Sequence, residues 1–177
     1  MRRSLLAIVA AALGGVASAA DKGTEVSLGG LKSTTPAGWK EKELPAGSMR
    51  MAQFVVPKAE GDKDDAEVAI FVFPGGSGTV KQNLERQLAK FQADGRKETV
   101  DKIKVGEVEA TYQDVTGTFV KKPFPMAEKG TPIEGYRQIY VVFEAKDGKQ
   151  YYLWLLGPGK TVDAHKKGFD EFLKGFK

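Results

Sequence analysis

The stretch Tyr151 to Leu156 reads Y-Y-L-W-L-L, so Tyr151, Leu153 and Leu155 alternate with Tyr152, Trp154 and Leu156, and both sides are apolar or aromatic. A strand of this kind needs cover on two faces. It is therefore expected at the centre of a sheet, with a helix over at least part of one face and Trp154 buried. Tyr136 to Ala145 carries a similar run and joins it through Lys146, Asp147, Gly148 and Lys149, whose D-G pair marks a hairpin turn. Met49 to Val56 and Glu67 to Phe73 read as an antiparallel pair around the charged turn Pro57 to Asp65. Lys97 to Val105 reads as a short polar strand. Glu107 to Val120 reads as a long strand bent near Gly117, with Val108, Ala110, Tyr112 and a shifted Val115 inward and Glu107, Glu109, Thr111 and Gln113 outward.

Two segments follow a helical period instead. Val80, Leu84, Leu88 and Phe91 form a stripe behind Thr79 and Gln82, which fit a capping box, and Gly95 is expected to end that helix. Val162, Phe169, Phe172, Leu173 and Phe176 mark the final helix after the break at Gly157, Pro158 and Gly159. Trp39 reads as a core plug, and Ser27 to Gly38 as a loop or edge entering the domain. Lys121 to Gly135, with Pro123, Pro125, Gly130, Pro132 and Gly135, interrupts the β pattern as a long loop. The fold class that results is α+β: a mostly antiparallel sheet of about six or seven strands with two main helices.

The N-terminus sits apart from this pattern. Arg2 and Arg3 precede the apolar run Leu5 to Val16 and the small residues Ala17 to Ala20, the layout of an export signal with cleavage expected after Ala19, or one residue later if Ser18 and Ala20 are the pair that is read. Residues 1–20 are thus assigned to a signal peptide and 21–177 to a single α+β domain in a periplasmic or secreted protein. The apolar run is shorter than the roughly 20 residues a membrane span needs. With no cysteine in the chain, lipid attachment at the signal, disulfides and thiolate chemistry are all excluded. The formal charge of +4 includes both signal arginines, and basic and acidic side chains are well mixed along the rest. A nucleic-acid footprint is not expected.

Candidate chemistry is sparse. The turn Gly75, Gly76, Ser77, Gly78, Thr79 at the head of the first helix is a candidate anion-binding loop, because free amides at a helix start attract phosphate or carboxylate. No lysine and hydroxyl follow at the spacing of a nucleotide loop, and a dinucleotide fingerprint would need glycine where Lys81 stands. Nor does Ser77 sit in a nucleophile elbow, since Thr79 occupies the closing glycine position. His165, the one histidine, borders the stripe of the final helix and reads as a packing residue. The acids Glu60, Asp62, Asp64 and Asp65 lack the ordered ligand positions of a calcium loop and read as a solvated turn. No metal or other cofactor is expected. In the long loop, Phe124 and Met126 flank Pro125 with Lys121, Lys122 and Lys129 close in sequence, a candidate partner-binding tip of apolar anchors and basic rim; the other reading folds both side chains back on the core.

The succession Trp39, M-R-M-A-Q-F, A-I-F-V-F-P-G-G-S-G, N-L-E-R-Q-L-A-K-F, D-V-T-G-T-F and Y-Y-L-W-L-L-G-P resembles a group of exported bacterial proteins of unknown function. Their architecture is similar to the PsbP-like α/β/α sandwich, named after the lumenal extrinsic subunit of photosystem II. The resemblance spans most of residues 34–177 and its motifs are structural; it brings no catalytic residues, and implies surface or loop-holding roles for Asn83, Arg86 and Gln87. It implies an accessory protein that binds another protein or an envelope component; the single histidine and the lack of cysteine speak against catalysis, and the short, cleavable apolar run against stable membrane insertion once the signal is removed. A small-ligand or anion-binding module using Gly75 to Thr79 is the alternative, and a hydrolase of unrecognised type a further one.

Overall fold

A computed structural model describes residues 22–73, 76–124 and 126–177; the export-signal reading of residues 1–20 lies outside them. Nine strands and two helices follow in the order β1 (Glu25–Leu28), β2 (Leu31–Thr34), β3 (Lys40–Glu41), β4 (Arg50–Val56), β5 (Ala66–Val72), α1 (Val80–Leu88), β6 (Lys97–Val105), β7 (Val108–Lys121), β8 (Thr131–Glu144), β9 (Gln150–Pro158) and α2 (Gly159–Lys174). Seven of the strands form one antiparallel sheet in the order β3-β4-β5-β9-β8-β7-β6, so the doubly apolar strand β9 occupies its centre. The β8–β9 hairpin and the β4–β5 pair have the expected partners.

One face of the sheet is packed in the ordinary way. The cross-strand row Ala52, Ile70, Leu153, Val141 and Tyr112 runs over five strands, and every member is buried. Against it α2 lays Val162, Phe169, Phe172 and Leu173, with Phe176 just beyond the helix. Trp39 fills the same layer beside Phe54, Phe169 and Phe172, at centroid distances of 6.5, 6.4 and 6.1 Å. The hairpin β1–β2, where a loop or edge is expected over Ser27 to Gly38, adds Val26 and Leu28 to this core. Gly29 and Gly30 both have positive φ, as a tight two-residue hairpin turn requires.

Helix α2 has Pro158 at its N-cap position, which offers no side-chain cap. Asp62, from the turn between β4 and β5, supplies one: its carboxylate accepts from the Thr161 amide at 2.8 Å and the Thr161 hydroxyl at 2.6 Å. A carboxylate beside the helix start is favoured by the orphan amides and the helix dipole. That turn therefore does more than remain solvated.

The opposite face carries α1, and here four expectations are corrected. The helix ends at Leu88 rather than near Gly95, and Phe91 lies beyond it in a bridge to Phe119. Its buried residues are Asn83 and Gln87, while Val80, Leu84 and Leu88 are half-buried. Thr111 and Gln113, expected outward, are 6% and 0% exposed, because the face they point to lies under α1 and its neighbours instead of in water. Trp154 is only half-buried: α1 packs over β7 and β8 and leaves the β9–β5–β4 side of this face without a helix.

The remaining correction concerns Lys121 to Gly135. β7 runs to Lys121 and β8 starts at Thr131, with Lys121 opposite Thr131 and Phe119 opposite Ile133. The expected loop is thus the end of a hairpin, and only residues 122–130 connect its arms. Gly117 and Phe119 mark a register shift where the arms leave the sheet, close to the bend read at Gly117.

Candidate functional site

The hairpin end stands out first. β6 pairs with β7 only as far as Thr116, and β9 pairs with β8 only as far as Tyr136, so past these points the two arms have each other and, among the described residues, one support from outside that bonds to their backbone. That support is the chain leaving α1. Val120 N donates to Lys90 O at 2.7 Å, Gln92 N donates to Thr118 O at 2.9 Å, and the Phe119 ring lies 5.4 Å from Phe91 and 5.6 Å from Tyr136. Stacked rings and paired backbone make this a pinned arm. At its tip Phe124 is 60% and Met126 87% exposed. Both side chains point away from the core, as the partner-binding reading requires. Lys121, Lys122 and Lys129 are all exposed around them, while Ala127 is buried and its amide donates to Phe124 O at 3.0 Å.

The candidate anion loop is held from within. The amides of Gly76, Ser77 and Thr79 donate to Phe73 O at 2.9 Å, the Tyr152 hydroxyl at 3.2 Å and Gln82 Oε1 at 3.0 Å. Gln82 N returns a bond to Thr79 Oγ1, completing the capping box that Thr79 and Gln82 predict. Asn83 Nδ2 donates to the carbonyls of Ser77, Gly78 and Thr79, and Arg86 reaches Ser77 O and Asn83 Oδ1. Asn83 and Arg86 are loop-holding residues in the strict sense. Gly76, Gly78, Thr79 and Gln82 line a cavity of about 770 Å³ together with Phe73, Glu144, Lys149 and Gln150. Gly75 belongs to the same candidate loop but lies outside the described residues.

A third cluster escaped the sequence reading. On the side of the sheet that α1 does not cover, Glu67 accepts from Arg50 at 3.2 Å, from Gln53 at 2.5 Å and from the Trp154 indole at 3.3 Å. Lys90 Nζ lies 4.5 Å from the centroid of the Trp154 ring, with Arg50 5.9 Å away. Burial pushes the Lys90 amine down to about 8, the Arg50 charge adds to that, and Glu67 opposes it. These five residues are scattered at positions 50, 53, 67, 90 and 154. The registers of β4 on β5 and of β5 on β9, together with the chain leaving α1, bring them within reach, and no local motif signals it.

Bonding also defines the remaining reactive groups. His165 accepts at Nδ1 from Trp39 Nε1 at 3.4 Å and faces Pro57 O at 2.9 Å through Nε2, so the proton belongs on Nε2 and both nitrogens are engaged. The Ser77 hydroxyl lies 2.9 Å from Asn83 Oδ1, an amide and not a base. Among the described residues no three His, Cys, Asp or Glu side chains are grouped to hold a metal ion.

No family model and no curated protein matches this chain. Solved structures do. The solution structure of the cyanobacterial PsbP protein from Synechocystis sp. PCC 6803 superposes with a TM-score of 0.52 at 16% identity, over 93% of this chain and 95% of that one. A protein of unknown function from Pseudomonas aeruginosa, PA94, described as a putative regulator, gives a TM-score of 0.46 at 15% identity over 86% of this chain and 94% of that one. The first likeness shows that the chain has the PsbP-like fold.

Proposed function

We propose that this is an exported accessory protein without catalytic activity, which docks on another protein or component of the cell envelope through the tip of the β7–β8 hairpin. The observation that carries the reading is the exposure of Phe124 and Met126 at the end of an arm that Phe91, Phe119 and the α1 exit hold in place. Large apolar side chains left in water cost free energy unless something covers them, and aromatic and methionine side chains are enriched at the cores of protein interfaces. Lys122 and Lys129 stand exposed beside them, as the polar rim of such a core does. The PsbP-like fold supports the reading as an expectation about accessory subunits.

Affinity capture from the native envelope tests it, with wild-type protein beside a Phe124→Ala, Met126→Ala variant of unchanged unfolding midpoint. The expected outcome is a component recovered with wild type and lost with the variant. Recovery by both would remove the tip from the interface. Saturable shifts of the Gly76 to Thr79 amide resonances on adding a metabolite would instead favour a small-ligand module, for which the cavity of about 770 Å³ beside that loop is the supporting feature. Turnover of a substrate by the purified protein would replace both with a hydrolase.

A further inference from the structure

The tip is small for a protein interface. A stable protein contact draws on roughly 20–30 residues a side, and residues 122–130 are fewer than half of that. The arm behind them offers no broad flanking surface, since beyond Thr116 and Tyr136 it is a two-stranded ribbon. At roughly 3.3 Å per residue, the paired stretch from Gly117 to Lys121 carries the tip on the order of 15 Å past the sheet. A lipid surface makes different demands. It accepts single apolar side chains without a complementary pocket, and it rewards basic side chains on the same approach face when the headgroups are anionic.

The residues meet both demands. Among the described residues Phe124 and Met126 are the two most exposed large hydrophobic side chains, at 60% and 87%. Lys121, Lys122 and Lys129 stand exposed around them and outnumber the acids of the segment, Glu128 and Glu134. None of these lysines is in an ion pair among the described residues. Their long stems let the ammonium groups reach headgroup oxygens while the apolar pair enters the acyl boundary. We propose that the β7–β8 tip is a reversible docking device for an anionic lipid surface, with Phe124 and Met126 as the inserting side chains and Lys121, Lys122 and Lys129 as the headgroup contacts. This rests on the tip-docking reading above and names its partner. No span is involved: among the described residues no helix is long and apolar enough to cross a membrane, and two side chains support only a peripheral, salt-sensitive association.

The test uses the chain from Asp21 onward, which keeps all the strands and helices named above, because the apolar run before it would bind lipid by itself. Co-sedimentation is measured with vesicles of phosphatidylcholine alone and with vesicles in which roughly a third of the lipid is phosphatidylglycerol. Partitioning should be about tenfold stronger on the anionic vesicles and weaken with added salt. Phe124→Ala with Met126→Ala should abolish that gain at an unchanged unfolding midpoint. Lys122→Glu with Lys129→Glu should remove the preference for anionic lipid. Equal binding of wild type to both vesicles, or undiminished binding by the Phe124→Ala, Met126→Ala variant, overturns the proposal. If vesicles fail to bind yet that variant still loses a captured protein from the envelope, the lipid inference falls while docking through the tip stands; if the variant changes neither assay, both fall.

Discussion

The two faces of the central sheet are made by the same strands and solved in different ways. Under α2, the 16-residue helix lays aromatic rings on a row of aliphatic side chains, and Leu153, Leu155, Val141, Ile139, Val162 and Phe169 are all fully buried. Under α1 the helix has 9 residues: Val80 and Leu84 pack on a small cluster of Phe71, Tyr140, Val142 and Tyr152, while the buried residues of the helix itself are Asn83 and Gln87, beside the buried Gln113 and Gln138. Gln138 donates to Gln87 Oε1 at 2.9 Å, and Gln113 donates to Leu84 O at 3.1 Å and Glu98 at 2.7 Å. Burial of apolar area is forgiving about geometry, whereas a buried amide network stabilises only when its partners are in place. The α2 face thus carries the larger apolar core, and the α1 face adds to a smaller one an amide network that fixes where a short helix and its glycine loop must sit. The Oε1 atoms of Gln113 and Gln138 are buried without a protein partner, so even this network is incomplete.

The sharpest way to break the comparison is to cut one large aromatic from each face. Phe169, 0% exposed, should cost about 3 to 5 kcal/mol as Phe169→Ala, through lost burial and the cavity left behind. Trp154 is bigger but half-buried, with one ring face against Phe71 at 4.5 Å and Lys90 over the ring, so Trp154→Ala should cost less than half of that. Urea unfolding of both variants, compared at equal m values, reads the difference. Equal losses would mean that the α1 face contributes as much apolar stability as the α2 face.

A second comparison asks whether the amide network or the shape of its side chains holds α1. Gln138→Leu leaves Gln87 Oε1 buried without its donor and should cost about 1 to 3 kcal/mol. Adding Gln87→Leu removes the stranded acceptor, and the double variant should recover most of that loss. If the double variant is instead the less stable of the two, the network is not what the single substitution damaged.

Where the sequence was readable, the reason was a period that one residue type could carry. The L-W-L-L alternation placed β9 at the sheet centre, D-G closed β8–β9, and Thr79 with Gln82 marked the start of α1 to the residue. The failures share a cause. Thr111 and Gln113 read as outward because polar residues at alternate positions normally face water, and a helix that buries asparagine and glutamine defeats that rule. Pro123, Pro125 and Pro132 made residues 121–135 look loop-like, yet Pro132 sits in β8 on a ribbon with no further strand beside it, where a missing amide proton is tolerated. The candidate tip was legible as composition, two apolar residues among lysines, while its projection depended on β6 and β9 both stopping short. Lys90 and Glu67 were invisible because their meeting is set by sheet register and the exit of α1.

Lys90 provides the finest test of the contrast, because it titrates on one face only. Its amine sits near 8 in the folded protein against the usual 10.5, so below pH 8 it is charged in both states and its burial weighs against folding. Between pH 8 and 10.5 the native state releases the proton first, the unfolded state binds more, and stability must rise with pH. The same window closes from above. Burial raises the hydroxyls of Tyr112 and Tyr140, so these stay protonated in the native state while unfolded tyrosine ionises near 10, and stability falls again as pH rises through that value. Between pH 7.5 and 9.5 the Lys90 shift alone would add nearly 2 kcal/mol, but the Trp154 ring 4.5 Å away favours the ammonium form and offsets part of it, leaving about 1 kcal/mol. Lys90→Met keeps a stem over the indole and removes the charge. Chemical unfolding at the two pH values should show the rise in wild type and a flat response in the variant. A rise that survives in Lys90→Met would assign the titration to another group and leave the α1 face as neutral as the α2 face in this range.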